Sequence, residues 1–173
     1  GRLLEIGINW VDGNKDQAQW AFVWQVLIKN TENLPPTTSV FELFEAGIKW
    51  LEGREDQDQW TFVWQTLIRQ QTTIPSSNFK MLIDKGLSWI HPHDHKSEWP
   101  IVYGMCLARL KADKELRKTF YNKDFILKGI KWIKEHKAEN QAAGLVLTII
   151  RSDYSMISPQ ERNEINILIK SMV

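Results

Sequence analysis

The sequence predicts an all-α fold: an α-solenoid of about four stacked helical hairpins with a repeat of 39–43 residues, followed by a C-terminal helix. Three observations carry this expectation. Gly-Ile-Asn-Trp at 7–10 recurs as Gly-Ile-Lys-Trp at 47–50, Gly-Leu-Ser-Trp at 86–89 and Gly-Ile-Lys-Trp at 129–132, at offsets of 40, 39 and 43. Self-similarity at such a period marks a stacked-repeat architecture. Within each copy apolar residues fall at helical spacing, and no useful length alternates with period two. Prolines and capping residues punctuate the copies, at Pro35-Pro36, Pro75 and Ser158-Pro159.

The repeat accounts for the odd composition, nine tryptophans against three tyrosines in 173 residues. Trp10, Trp50, Trp89 and Trp132 form one column, Trp20, Trp60 and Trp99 a second, and Trp24 and Trp64 a third that Tyr103 completes. Residues 3–28 and 43–68 are identical at sixteen of 26 positions, so the register of the first two copies is unambiguous. The fourth copy loses its later aromatics to Ala142 and Val146, as expected of a terminal unit with no neighbour to cover it. The expected units are 1–37, 38–76, 77–119 and 120–156, with a last helix at 158–173, all in one domain. The abrupt opening at Gly1-Arg2-Leu3-Leu4 reads as a start inside a helix of a longer protein.

Taken in order, the expected helices run at about 3–15, 17–31, 38–53, 57–72, 78–91, 97–112, 122–137, 139–151 and 159–172, with 113–121 adding a turn to its neighbour. Val40, Leu43, Phe44, Gly47, Ile48, Trp50 and Leu51 make one apolar stripe, and Ser39 with Glu42 is a capping box before it. Gly7, Gly47, Gly86 and Gly129 sit on that stripe. A helical glycine costs about 1 kcal/mol in propensity, so its recurrence predicts a close helix crossing. Asp16 with Gln19 and Asp56 with Gln59 read as capping boxes for the second helices, with the start moving to Ser97 in the third copy to spare Pro100 an interior position. Ser158-Pro159-Gln160-Glu161 opens the last helix with a cap, a first-position proline and a third-position acid.

Composition narrows the function. Lys plus Arg number 22 and Asp plus Glu 21, a net charge of +1, which is no polycation built to coat nucleic acid or anionic lipid. One cysteine excludes an internal disulfide and suits a reducing compartment. Largely apolar runs such as 144–150 are too short to span a bilayer. No charged-then-apolar leader opens the chain, and the expected setting is cytoplasmic.

Gly47, Trp50, Val63 and Pro75, with Gly7, Trp10, Val23 and Pro35 in parallel, resemble the tetratricopeptide repeat, although that unit is 34 residues and these offsets are longer. The extra length lies in the inter-helix loop and the proline linker, and HEAT-type arrays are the nearest alternative. The Trp50-Leu51, polar loop, Trp60 to Trp64 pattern also looks like helical repeats in bacterial multidomain sensor and scaffold proteins. The tetratricopeptide resemblance implies that first helices line a concave face. Glu5, Asn9, Glu45, Lys49, Asp84, Ser88 and Lys131, off the apolar stripe, would then meet a protein or peptide partner.

Other candidates compete with plainer readings. His91-Pro92-His93-Asp94-His95 offers imidazoles to zinc or nickel through His93 and His95, with Asp94 or His136 as further ligands. The plainer reading is a solvated turn, since the same loop is polar and variable in every copy, and no metal or other cofactor is expected. Residues 1–74 carry net −4 and residues 75–173 net +5. The excess concentrates between Arg109 and Lys137, where Lys111, Lys114, Lys118, Lys128 and Lys134 would suit nucleic-acid phosphate, making the chain a nucleic-acid-binding helical array, or an acidic protein or an oppositely charged end of the array. Their plainer reading is a solvated helix face. No phosphate loop or nucleophile elbow occurs, and Cys106 falls in the apolar column of Leu27 and Leu67. The expected protein is a non-enzymatic interaction, scaffold or sensor module.

Overall fold

A computed structural model describes residues 2–36, 38–70, 74–151 and 156–172 of the chain. Among them lie ten α-helices, one 3₁₀ turn and no strand. They are α1 (Arg2–Gly13), α2 (Trp20–Lys29), α3 (Val40–Trp50), α4 (Trp60–Ile68), α5 (Ser76–Ile90), α6 (Trp99–Ala112), α7 (Lys114–Phe120), α8 (Lys123–Glu135), α9 (Asn140–Ile150) and α10 (Pro159–Met172), with the 3₁₀ turn at Thr31–Asn33. None of these helices is long and apolar enough to cross a membrane. The chain forms two compact units, residues 1–83 and 84–173, divided within α5. In the first, α2 packs on α1, α3 and α4; in the second, α6 packs on α7 and α9, and α10 on α8 and α9.

The second helices begin later than their acidic residues predict. Residues 14–19, 54–59 and 93–98 each form two successive turns: Gln17 N–H bonds the Asn14 carbonyl and Trp20 N–H the Gln17 carbonyl, with Gln57, Trp60, Lys96 and Trp99 repeating the pattern. Asp16 and Asp56 are therefore not the caps of these helices. Gln19, Gln59 and Glu98 take the cap positions with helical backbone and no side-chain capping bond. What starts each helix is tertiary. The indole N–H of Trp20, Trp60 and Trp99 donates to the carbonyl nine residues back, Val11 (2.8 Å), Leu51 (3.1 Å) and Ile90 (2.8 Å), closing the hairpin on the end of its first helix. Because the third copy also starts at its tryptophan, no shift to Ser97 is needed. Pro100 falls in the first turn, where its missing N–H costs no helical bond.

Elsewhere local signals hold or move slightly. Ser39 accepts from Glu42 N–H at 3.3 Å, and Ser158 and Glu161 bond each other's backbone N–H reciprocally at 3.2 and 2.6 Å. Pro75 opens α5 rather than closing the preceding hairpin, since its carbonyl accepts from Phe79 N–H. Residues 114–120 are a helix in their own right, because Asp113 caps Glu115 and Leu116 N–H at 2.8 and 3.0 Å. The expected helix end near 72 and the unit boundary at 37 lie outside the described residues.

Candidate functional site

The surface is set by a scaffold of rings. Trp20 stacks between Trp24 (5.7 Å) and Trp50 (5.4 Å) in the first unit. In the second, Phe125, Tyr103, Trp99, Trp132 and His136 form a continuous stack with centroid spacings of 4.2–5.4 Å. Every polar ring atom in the third column is used on a neighbouring first helix: Trp24 donates to the Leu43 carbonyl (2.7 Å), Trp64 to Leu82 (2.7 Å) and the Tyr103 hydroxyl to Phe125 (2.8 Å). Each acceptor lies four residues before a stripe glycine. At Gly47 an added Cβ would lie 2.4 Å from Trp24 Cζ2, and at Gly129 it would lie 2.5 Å from the Tyr103 hydroxyl oxygen. The expected close crossing is therefore ring against bare backbone. First-column indoles reach into the preceding loop, Trp50 to the Lys15 carbonyl (3.1 Å) and Trp132 to Asp94 (3.0 Å).

One further column escaped the sequence reading. Four residues after each first-column tryptophan stand Asn14, Arg54, His93 and His136. Each bonds that tryptophan's carbonyl, at 2.8, 3.2, 2.7 and 2.8 Å, so three kinds of side chain cap the ends of the four first helices. The carbonyl only accepts, so both histidines carry the proton on Nδ1. His93 and His136 also stack on Trp89 and Trp132 at 4.6 and 4.2 Å, and the Arg54 guanidinium lies 5.4 Å over Trp50. Only the period, not the chemistry, identifies this column.

These bonds decide the histidine loop. His93 is 4% exposed and packed as part of the scaffold, contrary to the solvated-turn reading, while His95 is exposed beside Asp94 at 3.9 Å. Among the described residues no three His, Cys, Asp or Glu side chains converge as a metal-sized group. Cys106 is fully buried, as its column predicts, and burial pushes its thiol far above the ordinary range.

The expected contact residues separate between the two units. Glu5 and Asn9 line a cavity of about 340 Å³ between α1 and the start of α3, together with Asp12, Ser39 and Glu42. Its rim is acidic. On the same helix pair Glu45 is half-buried and Lys49 exposed. Asp84 and Ser88 line a cavity of about 290 Å³ against α8 with Asn122 and Lys128, and Lys131 lines an adjoining one of about 220 Å³ with His91, Asp94 and Glu135. Desolvation lowers the Lys128 ammonium from its usual range, and Asp124 partly offsets this. Of the basic residues, Lys118 pairs with Glu115 (2.9 Å), Lys134 with Glu164 (2.8 Å), and Lys111 donates to the Arg151 carbonyl, while Lys114 is exposed.

No protein-family model, curated protein or solved structure matches this chain.

Proposed function

We propose that this chain is a non-enzymatic interaction module, a tetratricopeptide-like α-solenoid whose stacked hairpins hold a groove between successive first helices for a protein or peptide partner. The observation that carries this reading is the placing of cavities beside α1 and α3 and beside the 84–90 part of α5 and α8, lined by five of the seven residues that the repeat register marks as off the apolar stripe. Rings locked by both stacking and hydrogen bonds fix those helices, so the groove is held open before any partner arrives. Such preorganisation lowers the entropic cost of binding. The acidic rim of Glu5, Asp12 and Glu42 favours a segment carrying Lys or Arg.

The test is selection of peptides from a random display library on the intact protein, followed by affinity measurement. Selected peptides are expected to be basic, and Glu5→Lys with Glu42→Lys is expected to weaken them at least about tenfold, or about 1.4 kcal/mol. A library that yields no saturable binder, or binders indifferent to both substitutions, removes this reading.

A further inference from the structure

The outer face of α1 is built like an internal joint with one side missing. Leu43, Leu82 and Phe125, at equivalent positions of the next three copies, are 5%, 0% and 6% exposed, but Leu3 is 84% exposed. The same holds along the stripe. Gly7 is half-exposed where Gly47 and Gly129 are buried, and Trp10 is half-buried where Trp50 and Trp132 are buried. Two hydrogen-bonding positions used at the internal joints also lack that partner among the described residues. The Leu3 carbonyl occupies the place from which Leu43, Leu82 and Phe125 accept a ring donor. The Trp10 indole N–H, whose counterparts donate to Lys15 and Asp94, makes no hydrogen bond among the described residues.

We infer that this face docks a tryptophan-bearing helical hairpin of the kind the chain itself builds. The internal joints specify the occupant at three points. An aromatic ring lies on Gly7 and donates to the Leu3 carbonyl, as Trp24 does to Leu43. A second aromatic, four residues earlier on the same helix, stacks on Trp10, as Trp20 stacks on Trp50 at 5.4 Å. A carbonyl in the hairpin loop accepts from Trp10, and the helix covers Leu3. A Trp-x-x-x-Trp helix preceded by a short loop meets all three, whereas an unpatterned apolar surface meets only the last. The inference rests on the repeat register of the proposed function and not on what its groove binds, so either can fail alone.

The test is an extended chain in which residues 3–42 occur twice in tandem, so that the second Leu3 follows Glu42 as Leu43 does. Amide exchange in the receiving α1 is expected to slow at least about tenfold relative to the parent, and Trp10 to lose its access to acrylamide. Gly7→Ala in the receiving copy is expected to cancel both effects, because its Cβ meets the incoming indole. In the parent the same Cβ meets only the flexible end of Leu27, at 3.2 Å, and α1 exchange there should not accelerate. An extended chain whose α1 exchanges as in the parent, or whose protection survives Gly7→Ala, overturns the inference. So does a parent protein that dimerises in light scattering and becomes monomeric with Leu3→Glu, since both Trp-x-x-x-Trp pairs of a second copy are already buried in its own joints and the occupant is then some other surface.

Discussion

The contrast between glycines shows how little local chemistry says about cost. Gly47 and Gly144 are both helical, and by propensity alone alanine improves each by up to about 1 kcal/mol. At Gly144 a Cβ meets nothing within 4 Å, and Gly144→Ala is expected to stabilise by that amount. At Gly47 the Cβ enters the Trp24 ring, which is held by its bond to Leu43 and its stack on Trp20 and so has nowhere to go. Gly47→Ala is expected to destabilise by about 1–3 kcal/mol, the usual range for overpacking. Urea denaturation of the two variants reads both signs. His93 makes a related point. His93→Ala strips the cap from the Trp89 carbonyl and empties a buried stack, at about 2–3 kcal/mol, while His93→Asn, the residue used at position 14, should recover part of it.

Two kinds of helix start coexist in the chain. α3, α7, α8 and α10 open on side-chain caps that a local sequence window reveals. Ser158→Ala is expected to cost about 1 kcal/mol there. α2, α4 and α6 open instead on an indole anchored nine residues upstream, and the acids before them are loop residues. Asp16, for instance, meets Arg54 at 2.7 Å while remaining 93% exposed. Asp16→Ala should therefore change stability by less than about 1 kcal/mol, whereas Trp60→Phe, which removes a buried donor and part of a stack, should cost about 2–3 kcal/mol. Calorimetry on the two variants separates a cap from an anchor.

Across the whole molecule the ring scaffold predicts two solution properties. Eight of the nine tryptophans are at most 4% exposed, so acrylamide quenching of the folded protein should come mainly from Trp10 and largely vanish in Trp10→Phe. Burial raises Tyr103 well above its ordinary value, and Cys106 likewise, so the folded chain holds protons that the unfolded chain releases. Stability is then complete below the unfolded values of about 9–10 and falls as pH rises beyond them, by up to about 1.4 kcal/mol per unit for each group. Tyr103→Phe should flatten that alkaline slope in denaturation midpoints measured from pH 8 to 11, and a slope unchanged by it would contradict the assignment.

The sequence alone determined the helical class, the ring columns, the buried thiol and the glycine crossings, because each is a pattern repeated at one period and a period survives translation into any register. It misjudged the starts of the second helices, and it read His93 as solvated. Tertiary contacts decided both. An indole bonding a carbonyl nine residues away outweighs a weak acidic cap, and a stack on Trp89 buries a residue whose neighbours His91, Asp94 and His95 stay in water. The capping column at 14, 54, 93 and 136 lay in view but was chemically disguised. Asparagine, arginine and histidine share only an N–H at the right reach, and reach is a property of the folded chain.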